Sequence, residues 1–428
     1  MKKIMMLPLL PLYLSVTAQT GDNTGVIPST GDLVITEIMA DPTPSRGLPE
    51  REYLEITNRT KVVLSITDIL LIAGNDTAYL GEGLLGQGES MILCSTGSRI
   101  DLLPYGRVMA VKSFPSLNDT GEPISLRNPD GSLIHAVCYG PEFLGDGPRS
   151  GGGFSAELAD LGNPFNEPYA WSPSEDPRGG TPGRAKSREA KIPDTRAPVI
   201  IAVWPLSADT VAVLFDETVM LTGAGPWQTG SRQTLPAVSG DHTDRTALVP
   251  LTEETKPGAL ITLVIPARIT DFAGNAPSDN YLRTGLPAEP KPGDILFNEL
   301  MPDPPQGLSE YLELYNNSDA VFDLSRLCLA GRSNSQATSF TGIHRQLLPG
   351  EYVALTTGRE EFSGLFPCSD EASVFRADRI PSMPDEGGFL ILYDRYLNVI
   401  DRVDYNAGMH LIFLSGTDGV ALEKISPS

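Results

Sequence analysis

Two stretches of the chain write the same pattern of apolar and polar positions. Residues 31–58 read GDLVITEIMADPTPSRGLPEREYLEITN, and residues 293–317 read GDILFNELMPDPPQGLSEYLELYNN. Each holds a β-rich apolar run, a Pro/Gly-rich connection and a second, alternating run. In that second run Leu54 and Ile56 face one way while Tyr53 and Glu55 face the other, the period-two signature of a half-buried strand. The copies share Glu37 with Glu299, Asp41 with Asp303, Tyr53 with Tyr311, Glu55 with Glu313, and Asn58 with Asn316. They lie roughly 260 residues apart, too far for a solenoid or propeller repeat. The chain therefore reads as carrying a duplicated domain, and these ten residues as its fold signature.

The correspondence continues downstream. GESMILCSTG matches GEYVALTTG, and GGGFSAELAD matches DGVALEKIS with Glu157 over Glu423. A hairpin turn is expected at Asn128-Pro129-Asp130-Gly131. The first copy then runs on through Trp171 and GGTPGRAKS to about Ser187, whereas the second stops at Ser428, where that tail would begin. A sandwich without its terminal strand leaves an unpaired edge and exposed core, so the expectation is a longer natural protein or a fragment. Between the copies, PVIIAVWPLSADTVAVLFDETV predicts two strands around residues 205–209, and ALITLVIPARITDFAGNAP a strand and a Gly-Asn turn. Short β-branched runs separated by turn signals, with 42 Gly and 37 Pro in 428 residues, predict an all-β chain of tandem Ig-like sandwiches. The expected division is a first domain at 31–187, a second at 195–287 and a third at 293–428.

Composition adds a destination. Residues 1–18 have a charged start (Lys2, Lys3), an apolar segment from Ile4 to Val16 and small residues at Val16-Thr17-Ala18, the form of a cleaved secretory signal peptide. That segment is shorter than the roughly 20 residues a membrane-spanning helix needs, and no later stretch could span, so no transmembrane segment is expected after cleavage. The formal charge of −22 disfavours nucleic acid, whose phosphates call for clustered Lys and Arg.

Little in the chain predicts catalysis. The carboxylates Glu37, Asp41, Glu52 and Glu55, repeated as Glu299, Asp303, Glu310 and Glu313, could in principle form an acid–base pair for glycoside hydrolysis. The reading preferred on the residues is structural: glutamates on outward strand faces pairing with Arg or backbone, and Asp41 an ordinary turn residue. His135, His242, His344 and His410 are scattered singly, and no zinc spacing, nucleophile elbow or phosphate loop occurs. No cofactor is expected; calcium is the one metal the oxygen-rich turns would suit, at 118–119, 128–130 and 271–275. Trp171, Trp204 and Trp227 read as packing residues rather than a sugar platform. Cys94, Cys138, Cys328 and Cys368 leave two alternatives open in an exported protein, one disulfide per copy or buried free thiols.

The two copies resemble bacterial lamin-tail domains, through ITEIMADP and FNELMPDP, EYLEITN and EYLELYNN, PSLNDTGEPISL, and Trp171 with Thr181-Pro182-Gly183. The middle segment is similar to bacterial Ig-like domains of the S-layer type, through VAVLFDETV and ITDFAGNAP. The resemblance implies exported β-sandwich modules of Gram-negative type, secreted or at the cell surface. It points to a non-catalytic structural, adhesive or ligand-binding role, with a protein or glycan at the surface as partner. The alternative is an accessory region of a secreted hydrolase whose catalytic domain lies beyond the C-terminus.

Overall fold

The computed structural model describes residues 25–230, 232–332, 334–340, 345–358, 374–410 and 418–425, the side chains of 334–336 excepted. The expected signal peptide at 1–18, His344 and Cys368 lie outside the described residues. The chain divides into two compact units, Met1–Pro193 and Asp194–Ser428. Both are built from β-sheet, and no described helix is long and apolar enough to cross a membrane.

In the first unit a six-stranded sheet runs in the order Trp171–Pro173, Ala156–Leu158, Leu33–Met39, Tyr53–Asn58, Ser90–Ser95, Val108–Val111. A four-stranded sheet, ordered Leu133–Tyr139, Glu122–Arg127, Leu70–Ala73, Asp76–Tyr79, forms the second layer. Alternation decides which side chains meet between the layers: Leu33, Ile35, Leu54 and Ile56 from one sheet join Leu71, Ile124, Leu126 and Val137 from the other in one apolar core. The hairpin turn forms where expected, with the Asn128 N–H bonded to Ser132 O and the Gly131 N–H to Asn128 O.

One expectation is corrected here. The Tyr53–Asn58 strand is buried along its whole length, not on one face alone. Its outer side carries a smaller cluster of Met39, Leu48, Tyr53, Ile92, Cys94 and Leu102, and beside it the polar residues described below. Period-two alternation distinguishes the two faces of a strand but not what later covers each.

The second unit contains two further sandwiches. In one, the sheet ordered Ile200–Ser207, Thr210–Phe215, Thr246–Pro250, Val238–Ser239 faces that ordered Arg232–Pro236, Pro226–Thr229, Leu260–Val264, Tyr281–Gly285. Val211, Val213, Phe215, Trp227, Val249 and Leu263 fill the space between. The turn expected at 205–209 is shorter than that: Pro205 lies inside its strand, at a register shift. The strand is at the sheet edge, where proline's missing N–H removes no ladder bond.

The other sandwich repeats the first unit's connectivity. Val374–Arg376, Tyr352–Thr356, Tyr311–Asn316, Ile295–Met301 and Leu422–Glu423 form one sheet, and Asn334–Ser339, Leu327–Gly331, Gly387–Asp394 and Val399–Asn406 the other. Even the irregularities repeat. The opening strands bulge between Ile35 and Glu37 and between Phe297 and Glu299, and each copy closes its sheet with a parallel pair. The sheet of the first unit has one strand more, Trp171–Pro173; among the described residues the repeat has no counterpart to it.

Candidate functional site

A row of buried ionisable groups lies on the outer face of the six-stranded sheet. Antiparallel register puts Glu37 directly opposite both Glu55 and Glu157, so three carboxylates form a row across adjacent strands. Like charges facing each other in a sheet repel, and burying them removes the water that would screen them. Yet Glu37 and Glu55 are 0% exposed and Glu157 1%. They are enclosed, not turned to solvent as the sequence suggests.

Hydrogen bonds resolve the conflict. Glu37 Oε1 accepts from Tyr53 Oη at 2.6 Å, Ser155 Oγ at 2.7 Å and the Thr181 N–H at 2.8 Å. Glu55 accepts from Thr36 Oγ1 at 3.0 Å and the Gly183 N–H at 2.6 Å. Glu157 accepts from Thr181 Oγ1, the Ser187 N–H and Ser187 Oγ at 2.7–2.8 Å. The Lys186 ammonium bridges Glu37 at 2.5 Å and Glu55 at 2.7 Å. Burial lowers the ammonium's affinity for its proton, but the charges of Glu37 and Glu55 more than offset that and hold its pKa above normal. Burial raises the Glu55 pKa, with Lys186 opposing it, and burial followed by the Glu37 charge pushes Tyr53 well above its usual value.

Most of these donors come from one segment, 179–187. Its glycines are sterically required. A Cβ on Gly180 would lie 2.6 Å from Tyr53 Oη and 2.7 Å from Glu37 Oε1. Gly183, at φ +70°, would bring one to 2.0 Å from Tyr105 O. Sequence reasoning singled out the glutamates and Tyr53, and Thr181 only as part of the family resemblance, but not Lys186, Ser155 or Ser187. The one signal was the TPGRAKS tail in the first copy, which nothing matches in the second.

The remaining signature residues have local roles. Asp41 caps its own turn, accepting from the Thr43 N–H and Oγ1 at 3.1 Å. Asn58, fully buried, donates to Val62 O, Leu85 O and Gly86 O and accepts twice from Thr60. Asn316 repeats this with Ala320 O, Leu347 O and Ser318. Glu52 accepts from the Leu117 N–H and Glu310 from the Met383 N–H. Asp303, through its carbonyl, receives the Gly419 N–H as Asp41 receives that of Gly153. Tyr311 Oη donates to Glu299 and Asn298 Nδ2 to Glu313.

His135 is also part of the frame. It is 0% exposed, with Nδ1 accepting from the Ile35 N–H at the bulge and Nε2 paired with Pro164 O, so Nε2 carries the proton. In the repeat, Asp401 accepts the equivalent Phe297 N–H. Burial lowers the His135 pKa to about 4. The unfolded chain takes up its proton near 6.5, the folded one only near 4. The contribution is therefore complete above pH 6.5 and is lost as pH falls toward 4, about 3 kcal/mol in all. Melting the protein from pH 7 to 4 is expected to show a steep acid slope in the first unit that His135→Gln flattens. Gln keeps one donor and one acceptor but no titrating ring, and an equal slope in that variant would refute the assignment.

Of the turns expected to suit calcium, two are self-satisfied. Asn118 caps Thr120 and Asp130 caps Ser132. Asp271 differs: its carboxylate oxygens come within 4.8 Å of those of Asp194 and Glu217. Burial, then Asp271 and Asp194, raise the Glu217 pKa to about 8. Both Asp271 oxygens are held by its own loop through Gly274 and Asn275.

The cysteines form no disulfide among the described residues: Cys94 and Cys328 are buried, and Cys138 is half-buried on the other sheet from Cys94. Burial raises the Cys94 thiol to about 11, making it unreactive at neutral pH. Trp171 stacks on Phe143 at 5.3 Å and Trp227 is 0% exposed, both core residues.

Comparison with known proteins adds the following. No curated protein matches the chain. Among solved structures, the N-terminal part of the bacterial S-layer protein SbsC is 12% identical, with a TM-score of 0.20 over 49% of this chain and 44% of that one. A Bacteroides ovatus protein, SGBP-B of a mixed-linkage glucan utilization locus, solved with a mixed-linkage heptasaccharide, is 8% identical (TM-score 0.18; 90% and 64%). A DUF4876 family protein from Bacteroides thetaiotaomicron is 15% identical (TM-score 0.18; 49% and 58%). The chain thus spans less than two thirds of each, and likeness this slight carries no functional argument. A family match does locate a domain: residues 288–407 match the Lamin Tail Domain. The strand order and the bulge found within that matched stretch recur in the first unit.

Proposed function

We propose that the chain is an exported, non-catalytic protein of tandem β-sandwiches, serving a structural, adhesive or ligand-binding role at the cell surface. One observation carries the reading. The carboxylates best suited to acid–base chemistry, Glu37 and Glu55, are enclosed and satisfied by Lys186 and the 179–187 segment, which leaves no access for a sugar. Their role is to clamp a terminal segment onto the sheet. Rigid sandwiches of this kind present loops as binding surfaces, and the acidic surface favours partners other than nucleic acid.

The test is a glycan and extracellular-matrix array probed with the mature protein, run beside a glycosidase assay on the same glycans. Saturable binding without turnover is the expected result. Turnover abolished by Glu313→Gln would overturn it.

A further inference from the structure

All three tryptophans are expected from the sequence to be packing residues; Trp171 and Trp227 lie in cores, and Trp204 does not. Trp204 sits on the edge strand Ile200–Ser207, whose Val203 packs against the core of its sandwich. Alternation sends the next side chain, Trp204, to the opposite face of the sheet, where it is partly exposed. There it lines a cavity of about 550 Å³ together with the exposed Leu206, with Pro287, and with Asp323, Arg326 and Gln346 of the repeat. Ligand clefts have volumes of roughly 300–1,000 Å³ and commonly open where two domains meet.

The walls of this cavity are tied together. Gln346 Oε1 accepts from Thr284 Oγ1 at 2.8 Å and the Gly285 N–H at 3.0 Å, and its amide donates to Gly285 O at 2.6 Å. The Val321 N–H bonds to Gly258 O at 3.0 Å, and the Ala288 N–H to Val321 O at 2.9 Å. A cleft held this way needs little ordering when a ligand arrives. Its charged groups also keep bonding capacity. Arg326 uses Nη1 on Pro287 O and Glu289, while its Nε stands 3.8 Å from Asp323 Oδ2, too long for a hydrogen bond. Asp323 Oδ1 takes the Ser325 N–H and hydroxyl, which leaves Oδ2 without a hydrogen bond among the described residues. One cavity thus combines an indole, a free carboxylate oxygen and a guanidinium with unused N–H groups.

We infer that this cavity binds a pyranose ring of a neutral oligosaccharide, with Trp204 as its stacking platform and Asp323 and Arg326 as partners of its hydroxyls. A pyranose has a face of C–H bonds that stacks on an indole and a rim of hydroxyls that both donate and accept. Asp323 Oδ2 accepts from one hydroxyl while the Arg326 guanidinium donates to its neighbour, and bonds to charged groups are the stronger kind. Charge favours a neutral sugar over an acidic one, because Asp323 and Arg326 cancel and the chain carries −22 overall. A proline-rich peptide also stacks on indole but brings few donors for Asp323. The inference rests on the ligand-binding reading above and gives it a site and a ligand class.

The probes are neutral gluco-, manno-, galacto- and xylo-oligosaccharides, titrated into the full chain by calorimetry and followed by acrylamide quenching of tryptophan fluorescence. Trp171 is 6% exposed and Trp227 0%, so the quenchable emission belongs mainly to Trp204. At least one oligosaccharide is expected to bind saturably and to shield that emission, a readout on the unaltered protein that misfolding cannot mimic. Trp204→Ala and Asp323→Asn are each expected to weaken binding about tenfold, and Trp204→Phe less, with unchanged melting temperatures. Asparagine keeps an oxygen for Ser325, so its effect reports the lost charge. Failure of every oligosaccharide to bind overturns the inference. So does a proline-rich peptide that shields Trp204 where no sugar does. A sugar that binds but leaves the quenching of Trp204 and the affinity of both variants unchanged overturns the site alone, and the ligand-binding reading survives.

Discussion

Replacing Lys186 by methionine is expected to destabilise the first unit by about 3–5 kcal/mol at pH 7, the cost of stranding a buried charge without its partner. For a unit of this size that corresponds to a drop of roughly 10 °C in its melting temperature. Methionine keeps the length and apolar stem of the side chain, so lost packing contributes little. What it removes is the only cation among the described residues that pairs with Glu37 and Glu55, both 0% exposed. The loss should depend on pH in a defined direction. Without the ammonium, the row can be relieved only by taking up a proton, so the folded-state pKa of Glu55, already raised by burial, rises further above the unfolded value. The variant's deficit is then smallest below about pH 4.5 and grows as pH rises through it. A second substitution, Glu55→Gln, should recover part of the stability at neutral pH. Calorimetry on the protein reads both effects; a loss below about 1 kcal/mol, or one independent of pH, would mean the ammonium is not what holds the row.

The second large effect is expected at Asn58. Its amide donates to three carbonyls across two connections and its oxygen takes both donors of Thr60, at 2.7–3.0 Å. Asn58→Ala leaves several buried backbone groups unpaired, at about 1–3 kcal/mol each when unrelieved, so a total of roughly 3 kcal/mol is expected. Asn58→Asp keeps the shape and the acceptor but turns an anion toward carbonyl oxygens, and should be no better than alanine at pH 7. Asn316→Ala is the matched experiment in the repeat, where the same amide holds Ala320 O and Leu347 O. Each substitution should shift the transition of its own unit. If Asn58→Asp restores wild-type stability, the amide donors are not the source of the effect.

Much of the architecture was legible before any coordinates. Glu37, Tyr53, Glu55 and Asn58 recur as Glu299, Tyr311, Glu313 and Asn316 because each meets a partner close in the sheet. Tyr53 reaches Glu37 across one strand pair, and Asn58 ties connections within thirty residues of itself. Local patterns of that kind repeat visibly when a domain is duplicated.

What alternation along a strand could not reveal is which polar face would be covered. Glu37 is closed by Thr181 and Lys186, some 144 and 149 residues away, and a lysine in a Gly-rich tail looks like any solvated lysine until the fold lays it on the sheet. The same holds for His135, which supports Ile35 from 100 residues away while an aspartate does that work in the repeat. The sequence by itself determined the β class, the duplication and the turns, because these follow from periodicity and short-range sterics. Only the tertiary structure decided that the carboxylate row of the first unit is sealed by Lys186 and the 179–187 segment. Burial and charge compensation depend on what comes to lie on top, and that is set by contacts distant in the chain.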